Sequence, residues 1–460
     1  MSQITCISPV DGSTYAQVDC TTDAGVADSL AKARVAQRDW SDLSITQRRD
    51  YCTAAVDAML AMGDEIVPEL AWQMGRPVKF GAGELAGFEE RARHMIDIAE
   101  DSLAPVVPDD KEGFKRYIRR DPLGLVFTIA PWNYPYLTAV NSIIPALMAG
   151  NAVFLKHASQ TILVGQRFES AFATAGLPEG LFNHVVLTHD QTGKLLGAGS
   201  FDQVMFTGSV PAGRTMERAA AGTFCGMGLE LGGKDPAYVR EDADVEFSAE
   251  NVVDGAFFNS GQSCCGIERA YVHESIYDDF VEKTVDVVKG YVLDSPLDES
   301  TTLGPMIKAS AADFVRDQID DAVSAGASAL IDSGLFEREA RGSAYMAPQV
   351  MVNVDHSMSV MRDESFGPVL GIMKVTGDEQ AIGLMNDSEF GLTASIWTRD
   401  AEAAEAIGSR VETGTVFMNR CDYLDPALTW TGVKNTGRGG TLSKIGYENL
   451  TRPKSFHLRF

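Results

Sequence analysis

The sequence predicts an α/β protein made of two open-sheet lobes, and three observations carry that prediction. At 460 residues and 45% hydrophobic content, the chain is too long for one ordinary core and should divide into two or three lobes. From Leu125 onward, short apolar runs alternate with helical segments, the pattern of parallel strands joined by crossover helices. After Pro236 the alternation begins again and supplies a second set.

Ahead of the first sheet, residues 24–62 carry Val26, Leu30, Ala33, Val35 and then Ala54, Ala55, Ala58 and Met59 at helical spacing, interrupted near Trp40. A second helical stretch is predicted over 84–104. The segment 109–120 alternates Phe114, Tyr117 and Ile118 with Lys115, Arg116, Arg119 and Arg120 before Asp121-Pro122-Leu123-Gly124, and reads as a solvated hairpin. Strands of the first sheet are predicted at 126–130, 153–156, 184–187, 204–207 and 228–231. The second lobe should hold strands at 270–272, 369–375, 394–397 and 415–418, with helices at 249–258, 276–288, 311–325, 379–385 and 401–407. No low-complexity linker separates the lobes, so a tight interface between them is expected. An open α/β sheet binds its ligand at the carboxyl ends of its strands, and Asn133, Lys156, Gly208-Ser209 and Glu230 all follow predicted strands.

The balance of 39 basic against 64 acidic residues gives a net charge of −25, which argues against nucleic acid and anionic membrane surfaces as partners. Met1-Ser2-Gln3-Ile4-Thr5-Cys6 shows no basic region followed by an apolar run, and no apolar stretch reaches membrane-spanning length. Seven cysteines, without C-x-x-C pairs, fit a reducing cytoplasm and no metal site.

Asn259-Ser260-Gly261-Gln262-Ser263-Cys264-Cys265-Gly266 places thiols in a small, Gly-flanked polar turn. Such a turn lets a substrate carbon approach sulfur while a backbone N–H holds an oxyanion. Adjacent cysteines in a turn are also a common inert arrangement, and the turn alone does not decide. Three further stretches occur in fixed order with it: Pro131-Trp132-Asn133-Tyr134-Pro135, Phe206-Thr207-Gly208-Ser209 and Leu229-Glu230-Leu231-Gly232-Gly233-Lys234. Together the four stretches resemble the aldehyde dehydrogenase superfamily, and the likeness runs from about residue 5 to Arg452-Pro453-Lys454-Ser455-Phe456.

The resemblance implies two Rossmann-like open-sheet lobes, one cofactor-binding (residues 1–110 and 125–232) and one catalytic (233–439), with a small β-hairpin oligomerisation arm (111–124 and 440–460). It also implies a cytoplasmic homodimer or homotetramer. The implied activity is NAD(P)+-dependent oxidation of a small-molecule aldehyde to its acid. In that chemistry Cys264 attacks the aldehyde to give a thiohemiacetal, Asn133 and the Cys264 N–H hold the oxyanion, and Glu230 activates the water that hydrolyses the thioester. For the cofactor, the resemblance implies Gly208, Ser209 and Gly213 at the pyrophosphate with Trp132, Lys156 at the adenosine ribose, Glu364 at the nicotinamide ribose and Phe366 beside the ring.

Three departures bear on function. Ser159 stands where NAD-preferring members often carry a glutamate, so NADP+ should be accepted; the alternative is that Ser159 caps the helix beginning near Thr161. Ser142 and Thr441 replace a lysine and a glutamate of an accessory proton relay. Tyr134, Asn141, Leu424 and Trp430 should line the aldehyde pocket. Tyr134 and Trp430 match positions where amino- and betaine-aldehyde dehydrogenases place aromatic residues, and Asp422 or Asp425 would add negative charge at the mouth, although the tryptophan those enzymes usually carry further along the helix is Asn141 here. Succinate-semialdehyde-type oxidation is the other alternative, although the arginine that some of those enzymes use is Asn141 here. A retired ligand-binding member would not need Asn133, Cys264 and Glu230 together, and a CoA-acylating enzyme usually lacks the glutamate.

Overall fold

The computed structural model describes residues 2–460. Its first sheet has six strands in the order Gly437–Arg438, Gly226–Glu230, Gln203–Thr207, Leu125–Ala130, Ala152–His157 and Phe182–His184. All neighbours run parallel except the edge strand Gly437–Arg438, which is antiparallel to Gly226–Glu230. Every residue of Leu125–Ala130 and Ala152–His157 is buried, as expected for parallel strands covered on both faces, and this is why they read as continuous apolar runs. The strand expected over 184–187 ends at His184; beyond it the chain still follows the sheet through the Val185 N–H on the Leu155 carbonyl.

The second sheet has seven strands in the order Ser328–Ala329, Gln349–Val352, Val369–Val375, Ile267–His273, Asp235–Val239, Thr393–Trp397 and Thr415–Met418. It is parallel apart from the short Ser328–Ala329 edge. Asp235–Val239 was not among the predicted strands, because Asp-Pro after Gly-Gly-Lys reads as a turn and proline is disfavoured inside a sheet. Here the register slips between Ile267 and Arg269 opposite Pro236, so the missing N–H falls at an irregularity.

Helices Asp23–Ser41 and Ile45–Leu60 bear out the break near Trp40. The helix expected over 84–104 begins earlier and is split into Val78–Asp97 and Ala99–Leu103. A helix at Gly63–Met74, carrying Pro68 within it and ended by left-handed Gly75, escaped the periodicity. Among the described residues no helix is long and apolar enough to cross a membrane.

The charged segment Phe114–Pro122 folds back on the chain before it only through the single antiparallel bridges Lys111↔Phe114 and Val106↔Ile118. It pairs antiparallel with the C-terminal strand Thr451–Arg459, from Phe114 opposite Arg459 to Pro122 opposite Thr451, and Phe114/His457 and Tyr117/Phe456 stack across the ribbon at 4.9 and 4.6 Å. An alternating pattern announces a half-buried strand but not its partner, and this one lies more than three hundred residues away. The C-terminal segment also returns Trp430, Leu442, Tyr447 and Leu450 to the core of the first lobe.

Candidate active site

The site is built where the first sheet's strand ends meet the cysteine turn of the second lobe. Helix Val245–Phe257 runs into a short helical turn Phe258–Gly261, in which Asn259, Ser260 and Gly261 all have positive φ. Three successive left-handed residues persist only where the surroundings hold them. Asn259 Nδ2 donates to the carbonyls of Asn133 and Gln262, each at 3.2 Å; Ser260 Oγ donates to Gly304 O at 2.8 Å; the Ile307 N–H donates to Gln262 Oε1 at 2.7 Å. A Cβ on Gly261 would stand 2.3 Å from the Gly367 carbonyl, and one on Gly233 2.3 Å from the Cys264 carbonyl. Only glycines let the segment after Glu230 and the cysteine turn lie this close.

Cys264, half-buried, and Glu230 line one cavity of about 540 Å³, with Tyr134, Asn141, Leu424 and Trp430 also in its wall. Asn133 is buried, and its Nδ2 donates to the Gln262 carbonyl at 3.1 Å, which fixes the amide beside the turn. Cys265 is buried, and its Sγ donates to Asp422 Oδ1 at 2.9 Å. The neighbouring Cys264 sulfur, then burial and the Asp422 carboxylate, hold the Cys265 thiol well above its ordinary pKa. Cys265 is therefore held as a thiol.

Burial raises the Glu230 carboxyl above its ordinary value, against the hydroxyls of Thr441 and Thr207, which favour the charged form. Thr441 Oγ1 donates to Oε1 at 2.6 Å and Thr207 Oγ1 to Oε2 at 3.1 Å. Of Ser142 and Thr441, only Thr441 touches this carboxylate; Ser142 pairs with Thr128 at 2.8 Å. Both line a void of about 10 Å³ beside Glu230, room for a single water.

On the cofactor side, Ser209 caps helix Val210–Ala220, its side chain accepting from the Ala212 N–H, and Pro211 lies in the first turn. This leaves a helix N-terminus at a strand's carboxyl end, an arrangement suited to a pyrophosphate. Gly213 has a packing reason as well, since a Cβ there would meet Leu231 at 2.7 Å. Lys156 is buried with no hydrogen-bond or ion-pair partner among the described residues, and burial lowers its pKa; an unpaired buried ammonium fits a cofactor's ribose or phosphate oxygens. Ser159 is exposed and opens a short turn, Ser159–Thr161. The capping alternative fails: helix Leu163–Thr174 begins after Ile162 with no side-chain cap.

Glu364 Oε1 accepts from the Gly233 N–H at 3.0 Å, and burial, then Glu268, pushes its carboxyl up to about 7. Phe366 meets Trp132 edge-on at 5.7 Å. This loop is held by residues without a role in the motif: Lys234 ion-pairs Glu268 and donates to Ser365 Oγ at 3.0 Å, and Glu268 accepts the Ser365 and Phe366 N–H groups at 2.8 and 2.9 Å. Arg76, in the turn before helix Val78–Asp97, and Glu84 and Arg91 on it, line the cavity wall and were likewise missed; charged residues of a helix read as solvent-facing. The unpaired Lys156, the helix N-terminus capped by Ser209 and the Glu364 carboxylate thus supply groups of the kind a dinucleotide would be held by.

A sequence model of the aldehyde dehydrogenase family matches residues 1–456. An aldehyde dehydrogenase of Paenarthrobacter nicotinovorans is 34% identical over 455 residues, 98% of this chain and 99% of that protein. The NADP(+) succinate-semialdehyde dehydrogenase of Mycobacterium avium (strain 104) is 32% identical, covering 98% of this chain and 96% of that one. Among solved structures, the NADP-dependent glyceraldehyde-3-phosphate dehydrogenase of Bacillus halodurans C-125, complexed with NADP, superposes with a TM-score of 0.93 at 32% identity, covering 100% of this chain and 96% of that chain.

Proposed function

The chain belongs to the aldehyde dehydrogenase family and oxidises an aldehyde to the carboxylic acid with NAD(P)+, and we propose that Cys264 is its nucleophile, Asn133 its oxyanion donor and Glu230 its general base. The observation that carries this reading is that Cys264 and Glu230 line one cavity while Cys265 is tied to Asp422. The Cys264 thiolate attacks the aldehyde carbon, and the oxygen that gains the electron pair is held by the Asn133 amide and the Cys264 N–H. When bound, NAD(P)+ supplies the hydride acceptor for the oxidation. On the thioester left at Cys264, Glu230 takes a proton from the attacking water, and the thiolate departs as the acid forms. Burial raises the carboxyl toward working pH, where it both ionises and accepts a proton effectively.

Trp132, Lys156, Ser159, Gly208, Ser209, Gly213, Glu364 and Phe366 form the cofactor groove in this reading. We assign 1–110 and 125–232 to cofactor binding and 233–439 to the cysteine-bearing lobe, except that Trp430 and strand Gly437–Arg438 return to the first lobe. The ribbon of Phe114–Pro122 and Thr451–Arg459 becomes a subunit-pairing arm in a cytoplasmic homo-oligomer: it is a two-stranded sheet, and a two-stranded ribbon is marginal unless another surface covers it. A panel of aldehydes assayed with NAD+ and NADP+, with the product identified as acid or as acyl-CoA when CoA is present, tests the reaction. Acid without any CoA requirement is expected; acyl-CoA as the obligatory product would remove Glu230 from its role.

A further inference from the structure

We propose that Arg76, held in place by Glu84, is a positioning residue for the oxyanion site: it ties the loop that carries Asn133 in the first lobe to the turn that carries Cys264 in the second. The inference rests on the reading above, in which the Asn133 amide and the Cys264 N–H hold the oxygen of the attacked aldehyde. Each lobe supplies one of those donors, so the geometry of the site depends on the register between the lobes. A donor held about 1 Å out of place can cost on the order of 100-fold in rate.

Arg76 stands on the seam. It follows Gly75, which ends helix Gly63–Met74 with a φ of 81°. A Cβ on Gly75 would stand 2.6 Å from the Pro305 carbonyl oxygen, and one on Gly304 2.0 Å from the Gly75 carbonyl oxygen, so the backbones of the two lobes are in contact here. From this turn the guanidinium, 2% exposed, reaches three acceptors. Nη2 donates to the Asn133 carbonyl at 2.6 Å, Nε donates to Asn259 Oδ1 in the second lobe at 3.4 Å, and Nη1 ion-pairs Glu84. Two amides close the circuit. Asn259 Nδ2 donates to the carbonyls of Asn133 and Gln262, and Asn133 Nδ2 donates to the Gln262 carbonyl at 3.1 Å. An amide nitrogen carries two N–H donors, so one remains on Asn133 for the substrate oxygen.

Glu84, 1% exposed, holds the other end of the loop. While Oε2 takes Arg76, Oε1 accepts the Tyr136 and Leu137 N–H groups at 2.9 and 3.1 Å. These open helix Pro135–Met148, where a carboxylate is favoured. Asn133 is thus bracketed: Arg76 and Asn259 hold its carbonyl, and Glu84 holds the helix that starts two residues later. The guanidinium supplies donors in fixed directions toward both lobes, whereas a lysine ammonium keeps the charge without the fork.

The test is a double-mutant cycle read by rapid mixing. Parent, Arg76→Met, Arg76→Lys, Glu84→Gln, Asn133→Ala and the double variant of Arg76→Lys with Asn133→Ala are mixed with the cofactor and the aldehyde that the parent uses best. The first-turnover rate of cofactor reduction is compared, and cofactor affinity is measured separately by fluorescence quenching. Asn133→Ala should slow the first turnover about 100- to 1,000-fold. Arg76→Lys should slow it about tenfold and Arg76→Met further, with cofactor affinity within about twofold of the parent. In the Asn133→Ala background Arg76→Lys should cost less than about twofold, because the donor through which Arg76 acts is gone; a merely structural role would not show this coupling. Glu84→Gln keeps an acceptor for the helix N–H groups but strands the guanidinium, and should slow the first turnover in the same direction. If Arg76→Met does not fold, Arg76→Lys decides. A first turnover unmoved in Arg76→Lys, or slowed by the same factor in both backgrounds, overturns the positioning role while aldehyde oxidation stands, and an unmoved Glu84→Gln removes Glu84 from it. An unmoved first turnover in Asn133→Ala overturns the reading on which the role rests.

Discussion

Replacing Thr441 with valine should slow breakdown of the acyl-enzyme at acid pH while leaving its formation intact. Thr441 is buried, and its hydroxyl donates to Glu230 Oε1 at 2.6 Å. Valine keeps the shape of the side chain, and the backbone pairing of Thr441 with Trp430 is untouched. What is lost is a hydrogen bond to a buried carboxylate, worth about 1.5–3 kcal/mol and made to the charged form above all. Burial already favours the protonated acid, so losing the donor moves the Glu230 pKa further up. The base works only when ionised, so the acid limb of the deacylation profile moves to higher pH. Thr207 still donates to Oε2 at 3.1 Å, which puts the effect near the low end: about a tenfold slower decay on the acid limb, with the alkaline plateau within roughly twofold. The assay forms the acyl-enzyme with one equivalent of aldehyde and follows release of acid by rapid quench across pH. An acid limb that stays in place, or moves to lower pH, refutes the argument that Thr441 stabilises the ionised base.

Two further outcomes are expected. Cys264→Ala should abolish NAD(P)+-dependent aldehyde oxidation while Cys265→Ala keeps most of it, as read from reduced-cofactor formation; full activity in the Cys264 variant would sink the assignment. Ser159→Glu should shift the NAD+ to NADP+ ratio of kcat/KM toward NAD+ by on the order of tenfold, because a carboxylate near the exposed Ser159 position and the buried Lys156 repels a 2′-phosphate. No activity of the parent with NADP+, or an unmoved ratio, contradicts the role given to Ser159.

The sequence made legible those parts of the molecule whose signal is local. Strands Leu125–Ala130 and Ala152–His157 are wholly buried, so their runs stand out without partners, and the stretches around Asn133, Glu230 and Cys264 carry their motif within a few residues. What depended on distant pairing was not legible. The charged segment Phe114–Pro122 looked like half of a local hairpin because its partner is the C-terminal strand. Asp235–Val239 was hidden by a proline that the sheet accommodates at a register slip. Thr441 read only as the loss of a relay charge, because its contact with Glu230 spans 211 residues. Arg91 stood in Glu89-Glu90-Arg91-Ala92-Arg93, where neighbouring charges face water, and only the packing of two helices turns it inward. Charge along a helix marks which residues are polar, whereas which of them is buried is decided by what packs against it.

The covalent step at Cys264 is the centre of the proposed reaction, and trapping the acyl-enzyme tests it. Glu230→Gln removes the base but not the nucleophile, so with aldehyde and NAD(P)+ it should give a burst of reduced cofactor followed by slow turnover. Peptide mass spectrometry of the quenched protein should then find the acyl group on Cys264, with Cys265 free. An adduct on Cys265, or a burst with no acylated cysteine, would contradict the assignment of Cys264 as the group that carries the substrate.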